Sequence, residues 1–391
     1  MAFFRNRAVN RANLHYGVQA FAEAGGGVFI YVYLLRAGVS VPATLTALAA
    51  LLAGRFAMRP AVLPFTLRWG LRAALIFGTL ANAATYLILT RVHGVDLPLA
   101  AFTLVASLGG VFYWTCFHAY FAAIGDTEHR GHQISAREAL ATALGIVAPL
   151  IGGWALVTAG PGRTFAAVGL IQALAVLPLI GAPDVAVTAA APGAFRAARF
   201  GAILFLWDGA IAAGYHYVWQ IALFISLGES FSAYGGAMAL AALVGAVCGL
   251  LLGRHIDAGY GRRAVLIAYA AVTVVVLLRA ASVGSPWLAV SANAAGAFSS
   301  ALLTPAMMTA LYNLAKASPC PLRFHIVAEG AWDIGCGGTC LIAAGFARAG
   351  LPLSTAILLA VPAAGAAAAL LCRYYDRVST PAAPDPATGI G

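Results

Sequence analysis

Twelve apolar runs, each long enough to cross a bilayer as a helix, restrict what this sequence can fold into. A helix needs about 20 apolar residues to cross the hydrocarbon core. Breaks at Pro, Gly and Arg place the runs at about 13–36, 40–58, 71–92, 97–122, 133–157, 162–182, 200–226, 233–252, 263–282, 286–314, 325–348 and 352–372. They are too long for the short alternating strands of a membrane β-barrel. Only 9% of residues are charged against 62% apolar, whereas a soluble domain carries roughly 25% charged residues. The composition excludes a cytosolic globular enzyme and a disordered chain. It also excludes a nucleic-acid binder, despite the net charge of +10. The reading is an all-α polytopic membrane protein with 12 transmembrane helices.

The basic residues orient the chain. An even number of spans puts both termini on one side, and 18 of the 23 Lys and Arg residues fall on that side. The opposite side receives Arg36, Arg91, Arg163, Arg279 and Arg348. Cytoplasmic loops carry the excess of Lys and Arg, so both termini are expected in the cytoplasm, with the chain in the cell inner (plasma) membrane. The first apolar run is long, carries Glu23 and lacks a small-residue cleavage site, so no cleavable signal peptide is expected. Six cysteines in or beside apolar runs do not read as a disulfide framework.

A shift of 191 residues aligns the two halves of the chain at separated points. Gly70-Leu-Arg-Ala-Ala-Leu-Ile falls on Gly261-Arg-Arg-Ala-Val-Leu-Ile, and Glu138-Ala falls on Glu329-Gly. This predicts two pseudo-symmetric six-helix bundles, residues 1–182 and 200–378, with a Pro/Ala/Gly linker at 183–199 and a tail at 379–391. Such half-repeats place a binding site near the midplane between the bundles.

The segment Gly253-Arg-His-Ile-Asp257-Ala-Gly-Tyr-Gly261-Arg262-Arg263 resembles the cytoplasmic loop motif of the Major Facilitator Superfamily. The matching loop of the first half keeps Arg68, Gly70 and Arg72 but has Thr66 where the Asp would sit. Gly145-Ile-Val-Ala148-Pro149-Leu-Ile-Gly152-Gly153 is similar to a fifth-helix motif frequent in the antiporters of that superfamily, with Ala148 replacing one Gly. The resemblance implies a twelve-helix secondary transporter working by alternating access. Gly and Arg at a tight turn let two helices approach, and an Asp there can pair with a guanidinium or a helix N-terminus; this makes the turn a candidate gate. It can also be read as a basic turn that glycines merely permit. Gly145, Pro149, Gly152 and Gly153 permit close helix packing and a bend, which does not fix a transport direction.

Ionisable groups within a membrane are costly and point to function. The candidates for proton coupling are Glu23, Glu138, Asp208, His325, Glu329 and Asp333. At 100° per residue, His325, Glu329, Asp333, Cys336 and Cys340 lie within about 80° of one another on one helix face. That face is read as a proton path or cation site, or as carboxylates paired with arginines such as Arg55 or Arg323. The same spacing puts Asp208, Tyr215 and Trp219 on one face, with His216 and Gln220 at its edge. The resemblance would set these around a substrate cavity, with Tyr16, Trp114 and His118. Aromatic rings with a few polar groups suit a small organic ligand, although they also serve as helix packing.

The expected partners are therefore a small-molecule solute, protons and the lipid bilayer, with no cofactor and a monomeric chain. One alternative is a transition-metal, copper-like importer, for which Cys336 and Cys340 at i, i+4 spacing are weak ligand candidates. Another is a non-transporting sensor or assembly factor on the same scaffold. No zinc, nucleophile-elbow or phosphate-loop motif is present to suggest an enzyme.

Overall fold

The computed structural model describes residues 6–124, 130–256 and 261–379. Ten stretches are long and apolar enough to cross a membrane. One of them, Val41–Leu89, holds two spans divided by a break at Gly70. A further span at 199–226 is interrupted by a π-helical turn. The helices are α1 (Arg7–Arg36), α2 (Val41–Met58), α3 (Val62–Leu89), α4 (Leu97–Ile124), α5 (Arg130–Thr158) and α6 (Pro161–Ile180). They continue with α7 (199–226), α8 (Phe231–Ile256), α9 (Gly261–Ser282), α10 (Pro286–Ala317), α11 (Pro321–Arg348) and α12 (Leu353–Asp376). Twelve helices are thus present among the described residues. Helices prevail because hydrocarbon offers the backbone no hydrogen-bonding partner.

The two faces of the protein are built differently. The turns after α1, α5, α7, α9 and α11 carry Gly38, Gly160, Gly228, Gly284 and Gly350, all with φ between 67° and 86°. Proline starts α6 and α10. A left-handed Gly followed by an N-terminal Pro ends one helix and begins the next within a few residues. Asp96 starts α4 by accepting from the backbone N–H of His93 and Leu99 (3.0 and 2.9 Å), and these bonds hold its carboxyl below the usual range. The face carrying the termini holds the linker between the halves. Tyr120 donates to the Pro183 carbonyl (2.7 Å), and Arg323 donates to the carbonyls of Thr188 and Ala189 (3.0 and 2.7 Å). Arg323 therefore clasps the linker and does not pair with the acids of its own helix.

Helix pairing repeats across the chain. In the first half α1 packs on α5 and α6, α3 on α4 and α6, and α2 on α4. In the second half α7 packs on α11 and α12, α9 on α10 and α12, and α8 on α10. The halves meet along α2–α11 and α5–α8, two seams that exchange when the halves exchange.

The α5–α8 seam is made of small residues. Gly145 faces Ala242, Gly153 lies on the Phe231 backbone, and Gly235 lies on the Pro149 carbonyl. Gly152 packs against the Gly25 carbonyl of α1 and the ring of Phe29. Gly152→Val is therefore expected to overpack this contact at a cost of about 1–3 kcal/mol, read as a lower Tm in detergent. An unchanged Tm would show that α1 can yield here.

Candidate functional site

Three cavities adjoin between the halves. The first, about 330 Å³, is walled by Gln19, Glu23, Tyr86, Trp114, Gln172, Tyr217 and Gln220. The second, about 310 Å³, shares Trp114 and Tyr217 with it and adds Arg55, His118, His325, Glu329 and Trp332. The third, about 470 Å³, shares Gln220 with the first and is walled by Tyr215, His216, Trp219, Arg279 and Asn293.

The α2–α11 seam carries charge. Arg59 donates through Nη1 to Glu329 Oε2 (2.9 Å) and through Nη2 to Asp333. Arg55 Nε lies 3.2 Å from Asp333 Oδ1. Thr115 of α4 accepts from Arg59 (2.9 Å) and donates to Glu329 (3.0 Å). Arg59 is 2% exposed, Glu329 8% and Asp333 1%, so two acids and two bases neutralise one another out of water. Isolated, each would be strongly disfavoured there. Arg59 reads from sequence as one more cytoplasmic basic residue; the structure buries it in the seam. Its i, i+4 spacing from Arg55, facing the acidic row of α11, is the pattern that marks the pair.

The α11 row is buried from His325 to Cys340, but its ends differ chemically. His325 stacks against His118 of α4 with ring centroids 5.6 Å apart. Cys336 and Cys340 sit in an apolar cluster with Leu48, Leu52 and Ala213. Among the described residues no three His, Cys, Asp or Glu side chains come together as metal ligands.

Helix α7 departs from the regular helical reading. A π-helical turn at Ala213–Val218 widens the helix and resets the phase of the turns after it. Asp208, in the regular helix before this turn, faces α11 and accepts from Trp332 Nε1 (3.0 Å). Tyr215 and Trp219 turn to α10: Tyr215 donates to the Gly296 carbonyl (2.7 Å) and Trp219 to Asn293 (3.0 Å). The three residues do not form one face. His216 and Gln220 line the third cavity.

In the first half, Glu23 accepts from Gln19 Nε2 (3.0 Å), and Gln172 donates to Gln19. Tyr16 stacks on Phe117 at 5.1 Å, under the Arg137 guanidinium at 4.9 Å. Glu138 lies on α5, and its side chain is outside the described residues. Of the second-half loop motif, Asp257 lies outside the described residues and Gly253 is placed only as backbone of α8. Gly261 packs on Tyr375, and Arg262 pairs with Asp376 of α12 (3.2 Å); Arg263 lies beside them in the first turn of α9.

In the first-half loop Gly70 breaks the helix at φ 82°, and the linker fills the gap. Asp184 accepts from the Arg72 backbone N–H (3.2 Å), and Arg72 Nη1 donates to the Ala182 carbonyl (2.7 Å). Asp184 thus supplies the carboxylate that Thr66 does not.

No family model and no curated protein sequence matches the chain. Solved structures do match. A POT family transporter in complex with a thioalcohol-conjugated peptide superposes with a TM-score of 0.69 at 9% identity, over 96% of this chain and 97% of that one. A POT family transporter in complex with 5-aminolevulinic acid gives 0.67 at 8% identity, with the same coverage. An auto-inhibited POT family peptide transporter gives 0.63 at 14% identity, over 95% and 97%. Twelve helices in two equivalent sets of six, matched nearly end to end by these structures, give the chain the fold of the Major Facilitator Superfamily.

Proposed function

We propose that this chain is a secondary active transporter that moves a small solute by alternating access and is driven by protons. The observation that carries the reading is the buried Arg55–Arg59–Glu329–Asp333 set, which ties the halves together along α2–α11 and of which Arg55 and Glu329 wall a cavity adjoining the first. The neighbours described as transporters support the same reading. Protonating Glu329 or Asp333 removes one charge pair from the seam and frees a guanidinium. Proton uptake therefore weakens the tie, and loss of the proton restores it. A solute that binds one state better than the other links its own occupancy to that of the proton. Either direction of transport satisfies this scheme.

Residues 1–182 and 200–378 act as the two bundles, with 183–199 the linker between them and 379–391 a tail. The excess of arginine on the face of the termini supports a cytoplasmic placement of both ends in an inner membrane, and alkaline phosphatase fusions at each turn would test it. For function, pyranine-loaded proteoliposomes are the direct assay. A transported solute is expected to evoke an internal pH change that a protonophore abolishes. Uptake indifferent to protonophore between pH 6 and 8 would make the chain a uniporter and remove the seam from coupling.

A further inference from the structure

We infer that the cavity walled by Tyr215, Trp219, Arg279 and Asn293 is a subsite for a carboxylate on the solute. Arg279 reads from sequence as one of five basic residues on the sparsely charged face. The structure instead buries it inside the second half, 4% exposed. Among the described residues no carboxylate pairs with it. The third cavity, which it lines, has no Asp or Glu in its wall. A lone guanidinium out of water is costly unless something neutralises it.

The neighbouring neutral groups are already engaged. Asn293 accepts from Trp219 and donates to the Ala237 carbonyl (3.0 Å each), while the Tyr215 hydroxyl is held by Gly296 and Ser299. Arg279 donates from Nη1 to the Tyr215 carbonyl, and its Nε has no acceptor. Its guanidinium lies 4.1 Å from the Tyr215 ring centroid and 5.0 Å from that of Trp219. Cation–π contact fixes the plane of the fork without neutralising its charge.

A purely structural role, capping a carbonyl in the π-helical turn, uses one donor of five and needs no cavity. The repeat argues against that role as well. Position 279 − 191 is Ile88, so α3 makes the equivalent packing in the first half without a cation.

One positive charge balances one negative charge. A planar fork matches a carboxylate through two parallel hydrogen bonds, whereas a phosphate dianion would be left half neutralised. The apolar wall around the fork, with about 470 Å³ of space, suits an organic monocarboxylate. This assignment rests on the transporter reading, but its test does not, because it measures binding alone.

Full-length protein in detergent would be titrated with benzoate and with N-acetylphenylalaninate, each against its primary amide at matched ionic strength. Tm and tryptophan fluorescence would be followed. A carboxylate well above its Kd is expected to raise Tm by about 3 °C or more and to quench saturably, while its amide does neither. Arg279→Gln is expected to abolish the preference for carboxylate over amide, and Arg279→Lys to weaken it about tenfold. The wild-type comparison stands even if Arg279→Gln fails to fold. Equal effects of acid and amide on the wild type, no effect of either acid, or a preference surviving in Arg279→Gln would each overturn the assignment. Carboxylate binding without protonophore-sensitive transport would retain the subsite and reject the coupling.

Discussion

Arg59→Ala is expected to destabilise the protein by about 3–5 kcal/mol, the usual cost of removing one partner from a buried ion pair. The residue serves two acids at once, Glu329 and Asp333, whereas Arg55 lies within ion-pair distance of Asp333. Alanine would leave Glu329 with Thr115 as its one hydrogen-bond partner among the described residues. Arg59→Lys keeps the charge but loses the fork that spans both carboxylates, so a smaller loss is expected. The measurement is the detergent Tm of both variants, with Glu329→Ala and the double variant closing a cycle. Strong non-additivity is expected, because once Glu329 is gone Arg59 has less to neutralise. Additive losses would mean that the two side chains do not act as one unit.

Glu329→Gln and Asp333→Asn are expected to reduce proton-driven accumulation sharply while leaving solute exchange down a gradient. Both replacements keep shape and hydrogen-bonding capacity and remove only the titrating charge, so folding should survive better than in Arg59→Ala. Coupling energies between sites are typically about 1–3 kcal/mol, a factor of about 5–150; accumulation should fall by a factor in that range. Counterflow in proteoliposomes separates the two readouts, since exchange requires alternation of the halves without net proton movement. Undiminished accumulation in both variants would make the α2–α11 set a structural tie alone. Loss of counterflow as well would show that the charge, and not its titration, is what the seam requires.

The fold was legible in the sequence because lipid imposes a simple rule. Every span must satisfy its own backbone, so the apolar runs and their Gly and Pro punctuation mark the helices to within a few residues. The least readable boundary is the one between the second and third spans, where helical backbone continues from Val62 to the break at Gly70. That break needs the linker's Asp184 and Val185 to complete it, and no local pattern announces a partner more than a hundred residues away. The acidic row on α11 was likewise readable from helical spacing. Its partner Arg59 was not, because a basic residue near a helix end looks the same whether it meets water or a buried carboxylate.

Helix α7 shows a different limit. Asp208, Tyr215 and Trp219 share a face only in a helix of constant pitch. Asp208 meets Trp332 ahead of the π-helical turn, and the turn re-phases Tyr215 towards α10.

What the sequence determined by itself is the solvent, the number of spans and the internal repeat. Hydrophobicity and periodicity are properties of short stretches and survive without a partner. What only the tertiary structure decided is the fate of each charge. Arg59 became the counterion of two acids, Arg323 the clasp of the linker, and Arg279 a cation with no acid beside it among the described residues. Whether a charge is solvated, neutralised or left open depends on what lies across a seam or a cavity, and that is settled when helices far apart in the chain pack together.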